Sequence, residues 1–326
     1  VKEISDEDLI PEKETMLVLT AGGYVKCTDP SEYRAQKRGG VGVIDLETKE
    51  EDFITMLVSG STHSNLLFFT DSGKVYQMKM YDIPEARRAT RGKSIMNFLS
   101  LGADEKVTSI LAMPARNASP GDTGGPKEFL MLVTKGGTAK KMSSESFKDV
   151  RQSGIIAIHL EKEDKLISAL MTRKGDEVMI ATAEGQSIRF KESDVREMGR
   201  TAGGVRGIKL RKNDTVIGVD VIKKTAEKGA FLTMSANGFG KKTDLKEYKI
   251  QKRGGSGVKT AKVTSKTGKL IVAKVLTSEE ELIAMSKKGQ VIRTALKDIR
   301  PLGRQTQGVT IMRLRSGDGI ASLACV

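Results

Sequence analysis

Six copies of a short signature, Thr or Ser followed by two residues and Gly, do most to limit what this chain can fold into. They begin at Thr20, Thr70, Thr134, Thr182, Ser235 and Ser286, at intervals of 50, 64, 48, 53 and 51 residues. That is the period range of propeller blades and solenoid units. Each copy follows an apolar run, such as Leu66 to Phe69 or Val178 to Ala181, and so reads as a strand entering a tight turn. The glycine closing each turn (Gly23, Gly73, Gly137, Gly185, Gly238, Gly289) takes a positive φ at little cost, as short hairpins require. A second strand follows, with Val25, Val75, Ala139, Ile188 and Val291 at inward positions. A further glycine comes 19 residues after the first in five units (Gly42, Gly92, Gly204, Gly257, Gly308) and 17 after it in the third (Gly154). Beyond it lie another apolar stretch, a turn at Glu51, Glu105, Asp164, Asp214, Gly268 or Asp318, and a last strand.

Each unit thus holds about four short strands. Six such units cannot bury their own faces, and closing them into a ring leaves no long free edges. The expected fold is all-β, a six-bladed propeller-like disc, with blades at approximately 15–65, 66–128, 129–176, 177–229, 230–280 and 281–326. A pair of β-sandwiches has turns at similar spacing, but needs no single period running unbroken through both. The stretch Pro114 to Glu128 accounts for the 64-residue interval and reads as a surface loop.

The chain holds 55 Lys plus Arg against 41 Asp plus Glu, a formal net charge of +14. Residues 1–14 contain six acids and two lysines; they read as an acidic linker, which leaves the domain at 15–326 still more basic. Two cysteines, Cys27 and Cys325, make no disulfide framework. No apolar run reaches membrane-span length and no signal-peptide pattern opens the chain, so the cytoplasm is the expected compartment.

Basic residues recur three or four places after the hairpin glycine: Lys26, Lys140 and Lys141, Arg189, Lys241 and Lys242, and Arg293. One repeated position maps to one height on a disc, so these residues are expected to form a cationic belt on the outer rim. The second unit has Tyr76 and Gln77 there, with Lys74, Lys79, Arg87, Arg88, Arg91 and Lys93 nearby. Aromatic residues are scarce and Trp is absent, which argues against a single-strand binder built on stacking platforms and for duplex DNA held by its phosphates.

The most specific local motif is Gln36, Lys37, Arg38, Gly39, Gly40, Val41, Gly42, with a second copy at Gln251, Lys252, Arg253, Gly254, Gly255, Ser256, Gly257. Three glycines in seven residues let the backbone approach a phosphate, while paired cations supply charge. With the stretches Lys74 to Gly92 and Phe190 to Leu210, this box resembles the C-terminal domain family of the DNA gyrase A protein, over nearly the whole chain. The family box is usually Gln-Arg-Arg-Gly-Gly-Lys-Gly; Lys37 replaces one Arg and Val41 the Lys.

The resemblance implies a six-bladed β-pinwheel, whose four-stranded blades exchange strands with their neighbours and whose rim wraps duplex DNA. It assigns Gln36, Lys37, Arg38, Gly39, Gly40 and Gly42 to the wrapping box, and Lys252 and Arg253 of the second copy to the rim. It implies a monomeric domain without cofactor, joined to the N-terminal cleavage domain of the same polypeptide. The parent heterotetramer also contains the gyrase B protein and uses ATP and Mg2+ to introduce negative supercoils. The related C-terminal domain of the topoisomerase IV A protein and an interaction propeller of the WD-repeat or kelch type remain as alternatives. Nothing in the sequence indicates a catalytic or metal site. His63 and His159 lack metal-ligand spacing, no phosphate-binding Gly-x-x-x-x-Gly-Lys loop occurs, and no tyrosine follows an Arg, as the gyrase cleavage tyrosine does.

Overall fold

In the second unit the first strand, Asn65–Thr70, buries Leu66 and Phe68 on one face and Leu67 and Phe69 on the other. A strand with two apolar faces needs a covering layer on each side. The computed structural model, which describes residues 6–32, 52, 54–87, 90–114, 127–226 and 228–325, supplies both layers. Leu66 and Phe68 pack with Leu17, Leu19 and Val25 of the first unit, and Leu67 and Phe69 with Leu130, Leu132 and Met142 of the third. The alternation continues: Met131 and Val133 meet Val178 and Ile180, Met179 and Ala181 meet Phe231, and Leu232 and Met234 meet Leu282 and Ala284. A sixth, thinner core of Val18, Ile54 and Met285 joins the last unit to the first. Ser322 Oγ crosses the same seam, donating to Ile54 O at 3.0 Å. The cores therefore lie between sheets, and six small antiparallel sheets close into the six-bladed pinwheel.

The residue pattern places four strands in each unit; the structure divides them differently. The first sheet runs in the order Ile54–Ser61, Glu14–Thr20, Tyr24–Thr28, Lys93–Ser94, and the last of these belongs to the second unit. Ile155–Ile156, Val205–Arg206, Val258–Lys259 and Val309–Thr310 are lent in the same way to the second, third, fourth and fifth sheets. Among the described residues the sixth sheet has three strands, Val291–Ala295, Glu281–Ser286 and Ile320–Cys325. The last strands of the first, second, third, fifth and sixth units line a cavity of about 1310 Å³. The lent strand stands at the opposite end of its sheet, on the outer rim.

The second glycine lets the lent strand cross. At Gly204 and Gly257 φ is +95° and +70°, and a Cβ there would fall 2.8 Å from Ala139 O and 2.1 Å from Ser187 O. No side chain fits either the torsion or the gap. The covering explains why Val25, Val75, Ala139 and Ile188 are buried as expected, whereas Val291 is 39% exposed. Val291 lies in the sheet for which no lent strand is described.

The Thr/Ser signature does more than mark a turn. Thr20, Thr134, Thr182 and Ser286 each accept a hydrogen bond from the backbone N–H four residues on, at 3.0–3.2 Å. The acid of the unit's last turn then ties to the same hairpin: Asp164 accepts from Gly136 N, Asp214 from Glu184 N and Asp318 from Lys288 N. In the first unit this acid is Asp52, which accepts from Thr20 Oγ1 at 2.8 Å and Gly22 N at 2.7 Å; Glu51 lies outside the described residues. In the fifth unit Gly268 takes the acid's place, and Asn237 Nδ2 donates to Lys266 O instead.

The acidic lead is docked on the second sheet. Asp6–Leu9 forms a 3-10 turn, Glu7 pairs with Lys79 at 3.2 Å, and His63 Nε2 lies 2.7 Å from Ile10 O. Both cysteines are free thiols, with Cys27 buried against Met80. Residues 115–126 of the long insertion lie outside the described residues.

The acid ties give the fold a pH dependence. Burial acts to raise the pKa of Glu105, but hydrogen bonds from Ser72, Thr70, Gly102 N–H and Tyr76 outweigh it and bring the carboxyl below its ordinary 4.5. Asp318 is lowered from 3.8 in the same way, by Ser286, Gly319 and Lys288. A depressed carboxyl pKa means that the unfolded chain takes up the proton first. The stability from these groups is therefore present above their unfolded pKa values and lost as pH falls through the folded ones. Thermal unfolding is expected to show Tm falling below about pH 4.5, and Glu105→Gln to flatten that acid limb.

Candidate nucleic-acid interface

In the first five sheets the second strand starts directly after the hairpin glycine, and the lent segment of the following unit passes over its first residues. A basic residue three places after that glycine is therefore covered. Lys26, Lys140 and Lys241, expected on an outer belt, are 3%, 0% and 1% exposed. Their ammonium groups point at main-chain carbonyls: Lys26 Nζ donates to Arg87 O and Thr90 O, Lys140 Nζ to Arg200 O and Ala157 O, and Lys241 Nζ to Gly303 O, Arg304 O and Thr306 O. Burial pushes the Lys140 and Lys241 pKa values down to about 8, which leaves both charged at neutral pH.

The residue four places after the glycine reaches the 3-10 turn that precedes the lent segment. Lys141 Nζ pairs with Glu192 at 2.7 Å, Arg189 donates to Leu245 O and Tyr248 O, and Lys242 Nζ donates to Leu296 O. Arg293 pairs with Glu281 of its own sheet. The expected belt is thus corrected for Lys26, Lys140, Lys141 and Lys241, which are buried, and for Arg189 and Lys242, which are half-buried and engaged. These cations fasten units to one another, because the strand that carries them is not the edge of its sheet.

Of the basic residues expected in the second unit, Lys74, Arg87, Arg91 and Lys93 are exposed, and Arg91 lies 3.7 Å over the Tyr24 ring. Lys79 is half-buried against Glu7. In the second box Lys252 projects into solvent with its side chain 93% exposed, beside Asp194. Arg253 turns inward to Asp194 O and Arg206 O, and Gly254 N donates to Gly207 O at 2.6 Å. Gln36, Lys37, Arg38, Gly39, Gly40 and Gly42 of the first box, and Arg88, lie outside the described residues.

The outward charge sits on the lent segments themselves, one strand further out than the repeat pattern suggests. Arg151, Arg200, Arg206, Lys259 and Arg300 are all exposed on or beside these segments. Arg304 is half-buried, donating to Lys259 O and standing 6.0 Å from the Tyr248 ring. The signal is present beside the second glycine, since Arg206 and Lys259 each follow one by two residues. A ring of sheets that carries exposed cations on its outermost strands and their loops, besides those on its hairpins and turns such as Lys135 and Lys212, defines a basic pinwheel, a class suited to a polyanion running around the rim.

The comparisons with known proteins agree. The family described as "DNA gyrase C-terminal domain, beta-propeller" matches residues 14–58, 64–112, 128–173, 176–223, 230–277 and 280–326, one stretch per blade. The chain belongs to this family. It is 38% identical over its full length to the DNA gyrase A protein of Staphylococcus epidermidis, and it spans 36% of that relative's length. A solved gyrase A C-terminal domain superposes with a TM-score of 0.76 at 25% identity, covering 96% of this chain and 99% of the other. The C-terminal domain of a DNA topoisomerase IV shares the fold, with a TM-score of 0.77 at 22% identity and coverage of 97% and 94%.

Amine acetylation of the folded domain followed by mass spectrometry separates the two sets of lysines. Lys252 and Lys259 are expected to be modified first, and Lys140 and Lys241 to stay unmodified until the protein unfolds. Acetylation of Lys140 or Lys241 in the folded domain at the rate of Lys252 would contradict their burial.

Proposed function

We propose that this domain binds duplex DNA along its outer rim and bends it around the disc, acting as the wrapping part of a cytoplasmic DNA gyrase A protein. The observation that carries this reading is the set of exposed cations on successive lent segments: Arg91 and Lys93, Arg151, Arg200 and Arg206, Lys252 and Lys259, and Arg300. They stand on equivalent pieces of chain at one end of each sheet, so a continuous polyanion can meet each in turn. Phosphate contacts of this kind position DNA without reading its sequence. Bending a 20–30 bp site by 40–90° costs roughly 1–6 kcal/mol, so several contacts must act together. The box at Gln36 to Gly42 supplies a further contact at the first unit and sets how the duplex is held on the track.

In this reading the domain performs no chemistry and takes no cofactor. It presents a neighbouring DNA segment, with fixed handedness, to the cleavage domain of its own polypeptide. The gyrase B protein, ATP and Mg2+ serve the parent enzyme.

A mobility assay of the domain with linear duplex at about 50 and about 200 mM salt tests the rim. Release of counterions from several phosphates is expected to weaken binding by orders of magnitude between the two, with little dependence on sequence. A salt-insensitive affinity would exclude the rim. Replacing Gln36 to Gly42 by alanines in the full enzyme is expected to abolish supercoiling and spare relaxation. Equal loss of both activities would mean a folding defect.

A further inference from the structure

Among the described residues, three of the four buried lysines stand at one repeated position in alternate units. Lys26, Lys140 and Lys241 stand three residues after the hairpin glycines of the first, third and fifth units, and Tyr76, Ile188 and Ile292 hold the same place in the second, fourth and sixth. The segments that cross them differ accordingly. Those over a lysine bring carbonyls to its ammonium: Arg87 O and Thr90 O at 3.0 and 2.6 Å, Arg200 O at 2.7 Å, and Gly303 O, Arg304 O and Thr306 O at 2.7, 2.7 and 3.0 Å. Those over an apolar residue bring no carbonyl to it: a Cβ on Gly154 would meet the Tyr76 ring at 2.6 Å and Gly255 stands at ordinary contact distance from Ile188, whereas glycine at the crossing is common to both kinds, since a Cβ on Gly92 would fall 3.2 Å from Lys26 Cβ.

An ammonium has three protons to place and no acceptor of its own. Buried, it strongly disfavours any arrangement that leaves those protons without partners. A loop whose carbonyls turn inward to meet it has its main chain fixed over several residues, and its side chains then leave in set directions. Arg87, Arg200 and Arg304 lie on the fixed stretches themselves, and each supplies one of the carbonyls that is held. Replacing a buried charged group by an apolar residue of similar volume is often neutral for stability while the conformation it specified is lost.

We propose that Lys26 and Lys140 are positioning residues for the rim, aiming Arg87 and Arg200 of the loops they hold toward the DNA, while Lys241 fixes its loop in the same way with Arg304 turned onto Lys259 O. Among the described residues the rim then alternates between cation-held loops in the second, fourth and sixth units and loops seated on Tyr76 and Ile188 in the third and fifth. This rests on the rim being the DNA surface.

The test uses the intact domain and the pair Lys140 and Arg200, with Lys241→Met as a second variant. Linear duplex binding is measured across a salt series for wild type, Lys140→Met, Arg200→Gln and the double variant. Lys140 cannot touch a phosphate, yet Lys140→Met is expected to reduce the slope of log K against log salt by about 1, the signature of one lost phosphate contact. The double variant is expected to bind within about twofold of Arg200→Gln alone, because the lysine acts through the arginine. Amide exchange is expected to speed up at residues 200–204 in Lys140→Met and at 303–307 in Lys241→Met, while Leu130–Val133 and Leu232–Met234 keep their protection. An unchanged slope, or additive losses in the double variant, would overturn the proposal. So would global unfolding of both methionine variants, which would assign the lysines to the stability of the cores. Failure of the wild type to bind duplex in the same series would remove the rim reading instead, with the exchange data still deciding whether the lysines hold the loops.

Discussion

The structure depends on an edge that no unit can satisfy alone. In each of the first five sheets the second strand would present a row of open main-chain groups, and two residues from the next unit pair with it, as Lys93–Ser94 do with Tyr24 and Val25. Open edges invite aggregation and must be paired or covered. Lending a strand does this with almost no added length, but the lent piece has to climb over its neighbour's main chain. The second glycine of the second to sixth units, the burial of the residue three places after the first glycine in the first five, and the outward placing of the loops that carry the exposed arginines all follow from that crossing.

The fate of the basic residues illustrates how context decides what a charge does. Lys140 and Lys259 belong to strands of equivalent units, yet one is sealed under a crossing segment and the other rides on one. The sealed lysine meets carbonyls at hydrogen-bond distance and holds two units in register. The exposed lysine remains available to a phosphate. The 55 Lys and Arg therefore divide between cations that hold the disc together and cations that face outward; both add to the field that attracts a polyanion, but only the second group can touch its phosphates.

Much of the architecture is legible in the sequence because repetition amplifies weak local signals. Six hairpins and their glycines with positive φ recur where expected, and the acid of the last turn ties back as Glu105, Asp164, Asp214 and Asp318, with Asp52 in place of Glu51 in the first unit. Which strand is outermost cannot be read in the same way. Periodicity marks Lys26, Lys140 and Lys241 as equivalent, but equivalence says nothing about what lies over them. A two-residue strand such as Val205–Arg206 is too short to show any alternation, and its membership in the preceding sheet is a matter of topology. Hence the repeat pattern puts the belt one strand too far in. The second box divides between one residue that faces solvent, Lys252, and one that turns inward, Arg253.

Strand lending also imposes an order on assembly. Tyr24–Thr28 gains its last partner only when Lys93–Ser94 has been made, and Phe239–Asp244 only when Val309–Thr310 has. A nascent chain emerging from the ribosome thus always trails one sheet with a raw edge, finished by the next unit and replaced by that unit's own. The open edge migrates along the growing protein, so the interval in which any given blade can pair with a wrong partner lasts about as long as it takes to synthesise its successor.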